Sequence, residues 1–116
     1  MDKKYKVLFH LDAAKEEKHI SVLRNIENLI ADLGEKSVEV ELVVHGKAMS
    51  LFQKTTSQKE KLSKLALQGV SLAACHNTMK AMGLEKSDLV EQVQVVSSGV
   101  GEIIRKQGDG WLYIRP

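Results

Sequence analysis

Tyr5 to Leu11 (YKVLFHL) is a mostly apolar run rich in β-forming side chains, and it predicts a first strand. A polar turn follows at Asp12 or Ala13, and from Lys15 the period changes. Ile20, Leu23, Ile26, Ile30 and Leu33 recur at steps of three and four, which is the stripe of an amphipathic helix. Gly34 stands where a helix-ending glycine belongs. Val38 to His45 (VEVELVVH) alternates and then becomes continuously apolar, predicting a second strand. After Gly46, Lys47 to Phe52 reads as one or two helical turns. Thr55-Thr56-Ser57 offers caps for a helix through Gln68, with Leu62, Leu65 and Ala66 on its inner face. Val70 to Cys75 is a third strand, and Asn77 to Met82 is a short helix closed by Gly83. Ser87-Asp88 is placed to cap one more turn. Val93 to Val96 is a fourth strand, Gly99 or Val100 to Gln107 a helix, and Trp111 to Ile114 a fifth strand.

Strands alternating with helices over short connections predict an α/β fold, with helices on both faces of a parallel sheet. This order has a chemical consequence. The strands end near His10, His45, Cys75-His76 and Ser97-Ser98. Parallel strands bring those ends to one edge, and ligands of open α/β sheets bind outside the carboxyl edge. Three of the four histidines and the only thiol are expected on one rim. His19, on the first helix, is expected in solvent.

Composition narrows the rest. The 116 residues suit one domain, 1–116, large enough to close a core without staples. A single cysteine makes no intrachain disulfide. The first apolar run is too short for a signal-peptide core or a membrane span, so a soluble cytoplasmic protein is expected. The net charge is +2, with lysines scattered among glutamates and few aromatics. Neither a nucleic acid nor a membrane is an expected partner. The charged Lys59–Lys64 stretch reads as the solvated face of a helix.

Cys75 is the principal candidate. A free cysteine is often a small core hydrophobe, but this one follows two alanines and precedes His76-Asn77, where a helix begins. A thiol at a helix N-terminus meets unpaired N–H groups and the positive end of the dipole, which favour the nucleophilic thiolate. Asn77 reads first as the cap of that helix and second as a site residue. His10, His45 and His76 are candidates to line the site, with hydrogen-bonded strand-end roles as the alternative. Ser98-Gly99-Val100-Gly101 opens a helix after a strand, where N–H groups suit a small anion. The other reading is a tight turn that uses glycine for freedom. No CxxC or HxxxH spacing is present, so neither a metal nor another cofactor is expected.

The pieces YKVLFHL, ENLIADLGEKSVEVELVVHGKAMSLF, GVSLAACHNTMKAMGL and VVSSGVGEIIRKQGDGWLYIRP together resemble the DsrE/DsrF-like sulfur-relay family over essentially the whole chain. The resemblance implies a three-layer α/β/α fold with a five-stranded, largely parallel sheet. It also implies assembly as a trimer or hexamer, and Cys75 as an acceptor of sulfur in persulfide form. Without a second cysteine, relay needs sulfur donor and acceptor proteins as partners, and a self-contained disulfide oxidoreductase is disfavoured. The reading from a different class is an oligomeric protein that binds a small ligand or anion without covalent chemistry. The apolar closing strand, Trp111 to Ile114, adds support for a homo-oligomer, because an uncovered edge invites pairing.

Overall fold

The computed structural model describes residues 3–116. Five strands form one sheet in the order β4-β3-β2-β1-β5, every neighbouring pair parallel. The elements are β1 (Tyr5–Leu11), α1 (Glu16–Leu33), β2 (Val38–Val44), α2 (Lys59–Leu67), β3 (Ser71–Cys75), α3 (His76–Met82), β4 (Val93–Val96), α4 (Gly99–Gly108) and β5 (Leu112–Ile114). Short 3-10 turns occupy Gly46–Phe52 and Lys86–Asp88. Among the described residues no helix is long and apolar enough to cross a membrane.

The strand order explains the layers. From β1 to β4 the chain adds each strand on the same side, so right-handed crossovers put α1, α2 and α3 on one face. It then returns across the whole sheet to β5, and the reversed direction puts α4 on the opposite face. The first face is the larger core. Phe9, Leu42, Leu72 and Val93 stand level across four strands and are all buried. Burying each such side chain stabilises by about 1.5–3 kcal/mol. The α4 face has a smaller apolar cluster of Leu8, Val43, Ala73 and Trp111, with Val96 and Ile103 packed against it.

Leu23, Ile26 and Ile30 form the buried stripe that the periodicity predicts, Val22 joins them, Ile20 and Leu33 are half-buried, and α1 ends at Gly34, whose φ of +94° is accessible to glycine and whose N–H bonds Ile30. Three local expectations are corrected. His19 is not solvated: it is buried on the inner face of α1, its Nε2 2.7 Å from the Ala13 carbonyl oxygen. Thr55-Thr56-Ser57 do not cap α2, which begins at Lys59 after Gln58; Ser57 instead donates to the Glu16 carboxylate. The turn at Lys86–Asp88 is capped by Glu85, whose side chain closes a reciprocal box with Asp88.

Candidate functional site

Strand β3 runs into α3 without a linking residue. Cys75 is the last residue of the strand and also the N-cap of the helix, with extended backbone angles. Asn77 is thus not the cap: it lies inside the first turn, and both its side chain and that of His76 are exposed. What Asn77 contributes is its backbone. Burial pushes the Cys75 thiol up, but the donors around it, the backbone N–H groups of Thr78, Gly99 and Asn77 and the Thr78 hydroxyl, outweigh that push. The thiol is therefore held below its ordinary range, and these donors favour the anion. The residue is well covered, with Cys75 only 6 % exposed.

Two of these donors come from elsewhere in the fold or are fixed by it. Gly99 opens α4 on the other side of the sheet edge. A Cβ at this position would lie 3.2 Å from the His45 Cβ and 3.4 Å from the Cys75 Cβ, so the glycine is what lets the α4 backbone approach the thiol. Ser98 is the N-cap of α4, its hydroxyl oxygen accepting from the Gly101 N–H at 2.8 Å. That donor is therefore already used, whereas the Gly99 N–H is among the donors that lower the Cys75 thiol. The Thr78 hydroxyl oxygen accepts from the Gly46 N–H at 2.9 Å, so its own proton is available to Cys75.

A second group lies beside the first. The Nε2 atoms of His10 and His45 are 2.5 Å apart, the rings stacked with centroids 4.7 Å apart. On the far side of His10, Nδ1 lies 2.6 Å from the Tyr113 hydroxyl. Burial, the neighbouring His45 and the charge of Arg115 lower the His10 pKa against the opposing pull of Asp12, so the imidazole is neutral near pH 7. A neutral ring carries one proton. With Tyr113 donating to Nδ1, the His10 Nε2–H donates to His45. With Nδ1–H donating to Tyr113, Nε2 accepts from His45. Arg115 pairs with Asp12 at 3.0 Å across the same edge.

Of the residues expected at the rim, His10, His45, Cys75 and Gly99 come together, Ser98 orients the start of α4, and His76 points to solvent. Sequence reasoning missed Tyr113, Thr78 and Asp12. Tyr113 carried a readable signal: it is the polar-tipped residue of an otherwise apolar strand, and its register opposite Leu8 puts it on the His10 face.

Over residues 2–116 the sequence matches the DsrE/DsrF-like family. The chain belongs to that family. A protein of unknown function from Methanobacterium thermoautotrophicum is 42 % identical, with a TM-score of 0.92 over 97 % of this chain and 99 % of that one. Two more distant structures share the fold. The ychN protein of E. coli is 13 % identical, with a TM-score of 0.78 over 99 % of this chain and 100 % of that one. A conserved protein of unknown function from Bacteroides thetaiotaomicron is 12 % identical, with a TM-score of 0.76 over 96 % and 94 % of the two chains. No curated protein matches the sequence.

Proposed function

We infer that this DsrE/DsrF-like protein carries sulfur on Cys75. The observation behind this reading is the convergence of backbone N–H groups from Asn77, Thr78 and Gly99, with the Thr78 hydroxyl, on one thiol. Such a cradle suits an anionic sulfur, whether thiolate or persulfide, because fixed dipoles aimed at the charge need no reorganisation when it forms. The Cys75 thiolate attacks the terminal sulfur of a donor persulfide. A new S–S bond forms at Cys75, the donor's S–S bond breaks, and its electron pair leaves with the donor as thiolate. No external oxidant or reductant is consumed. An acceptor thiolate then removes the outer sulfur by the same displacement.

Intact-protein mass spectrometry after incubation with a persulfide donor tests this. The expected product is one sulfur atom heavier than the starting chain, and Cys75→Ser yields none. No adduct on the wild type, under conditions that load a known carrier, ends the sulfur-carrier reading.

The low exposure of Cys75 favours one second reading: a small anion or ligand held by the same N–H groups, without covalent chemistry. In that case Cys75→Ser retains both ligand binding and assembly. Self-association belongs to either reading. Val100 and Ile104 on α4 and Leu112 and Ile114 on β5 are apolar and exposed, and β5 is a short edge strand. Covering them in a homo-oligomer, a trimer or hexamer, removes that liability. Light scattering at micromolar concentration is expected to give a mass above that of one chain; a monomer contradicts it.

A further inference from the structure

We propose that His10, Asp12 and His45 form a binding site for a divalent transition-metal ion, with zinc the cation their chemistry suits best. The proposal is independent of sulfur transfer, and Cys75 is not among the ligands.

The topology brings the three side chains together. His10 and Asp12 are two residues apart at the end of β1 and so share a face. His45 follows β2, where its N–H bonds the Leu11 carbonyl at 3.2 Å and continues the parallel ladder one step past Val44. One ligand atom from each of the three lies within 4.8 Å of the other two. His10 is buried, and Asp12 and His45 are partly buried, so the ligands face one partly enclosed point rather than open solvent.

The donor set selects the metal. Two imidazole nitrogens and a carboxylate oxygen are borderline ligands that suit zinc and its neighbours, rather than calcium or magnesium, which take oxygen. Three protein ligands leave the fourth tetrahedral position to water or substrate. Bonds of about 2.0–2.2 Å put ligand atoms roughly 3.3 Å apart in a tetrahedron. The two Nε2 atoms, at 2.5 Å, need to part by less than an ångström, and the carboxylate to move in.

The outer partners fit as well. A metal-bound histidine commonly donates its second ring N–H to a fixed acceptor, which sets the tautomer. His10 Nδ1 has the Tyr113 hydroxyl at 2.6 Å for that purpose. On metal binding the proton shared between the two Nε2 atoms is displaced: each ring carries its single proton on Nδ1, and both Nε2 lone pairs face the ion. Arg115 binds only one oxygen of the Asp12 carboxylate, at 3.0 Å, and orients it. The guanidinium is mostly exposed, so water screens its repulsion of a cation.

The test is titration of chelator-treated full-length protein with zinc, followed by calorimetry and thermal melting. Wild type is expected to bind one zinc per chain and to melt higher with it. His45→Gln and Asp12→Asn should each weaken binding at least about tenfold, and Tyr113→Phe, which keeps the packing, by about tenfold or somewhat less. Cys75→Ser and His76→Gln should bind as wild type does. Far-UV circular dichroism checks that each variant is folded, and the Tyr113→Phe result decides the matter if a ligand variant is not. The proposal is overturned if wild type binds no zinc stoichiometrically in the micromolar range. It is equally overturned if binding survives His45→Gln and Asp12→Asn, is untouched by Tyr113→Phe, or is lost with Cys75→Ser.

Discussion

Cys75 is expected to alkylate with iodoacetamide along a pH profile whose midpoint lies below that of an unperturbed cysteine, and Thr78→Val should slow the reaction at neutral pH. The sign follows from the donors around the sulfur. Burial alone raises a thiol pKa, and the N–H donors of Thr78, Gly99 and Asn77 with the Thr78 hydroxyl reverse that. A thiol whose anion is stabilised reacts at lower pH, and below the midpoint its rate follows the thiolate fraction. Losing a hydrogen bond to a charged group costs about 1.5–3 kcal/mol, so Thr78→Val is expected to lower the neutral-pH rate by about tenfold or more. Valine also leaves the Gly46 N–H without its acceptor, so the variant should melt lower than wild type. Thr78→Ser keeps the hydroxyl and should restore most of the rate. If valine and serine variants both react like wild type, the hydroxyl does not act on the sulfur. If the profile midpoint sits at or above that of a free cysteine, the cradle does not stabilise the anion.

The layered fold was legible because the apolar period switches cleanly between strand and helix, and the parallel order then follows from short connections and crossover handedness. His10, His45 and Cys75 could be assigned to one rim for the same reason: each ends a strand. What pattern could not supply was the exact step at which one element becomes the next. Cys75 serves as strand end and helix cap at once, so the cap assigned to Asn77 fell two residues late. An apolar stripe along α1 leaves His19 out, whereas the Ala13 carbonyl lets a histidine share the buried face. Asp12 looked like ordinary turn punctuation. Its approach to two histidines depends on a neighbouring strand 33 residues further along the chain, which no local ligand spacing encodes. Glu41 shows the same limit. In VEVELVV an alternating glutamate reads as solvent-facing, yet this one is 5 % exposed beneath α4.

Glu41 should make the protein less stable as pH rises, and Glu41→Gln should remove most of that dependence. The side chain has Lys106 at 3.7 Å from Oε1, while Oε2 is buried and accepts no hydrogen bond among the described residues, as suits a protonated carboxyl. Burial first, then the bond to Glu102 and its negative charge, push the Glu41 carboxyl up to about 8 against the partial relief from Lys106. Glu102 moves the opposite way, chiefly because Glu41 donates to it. One proton therefore resides on Glu41 and is shared toward Glu102. In the unfolded chain a glutamate ionises near 4.3. Between there and about 8 the folded state holds the proton that the unfolded state has lost, so stability falls with rising pH and levels off above the folded value. At 1.36 kcal/mol per pH unit the whole interval corresponds to a loss on the order of 3–5 kcal/mol. The Glu102 contribution runs in the other direction but in another window: it is lost as pH falls through that group's lowered pKa, on the acid side. A glutamine at position 41 cannot ionise, keeps the volume, and has an N–H to donate to Glu102. Urea unfolding at pH 5.5 and pH 9, values chosen to lie within and above roughly the 4.3–8 window, separates the cases. Wild type should lose several kcal/mol between them, and Glu41→Gln should lose much less and be the more stable protein at the higher pH. Equal losses in the two proteins would mean that Glu41 is already ionised in the folded state, with Lys106 neutralising it.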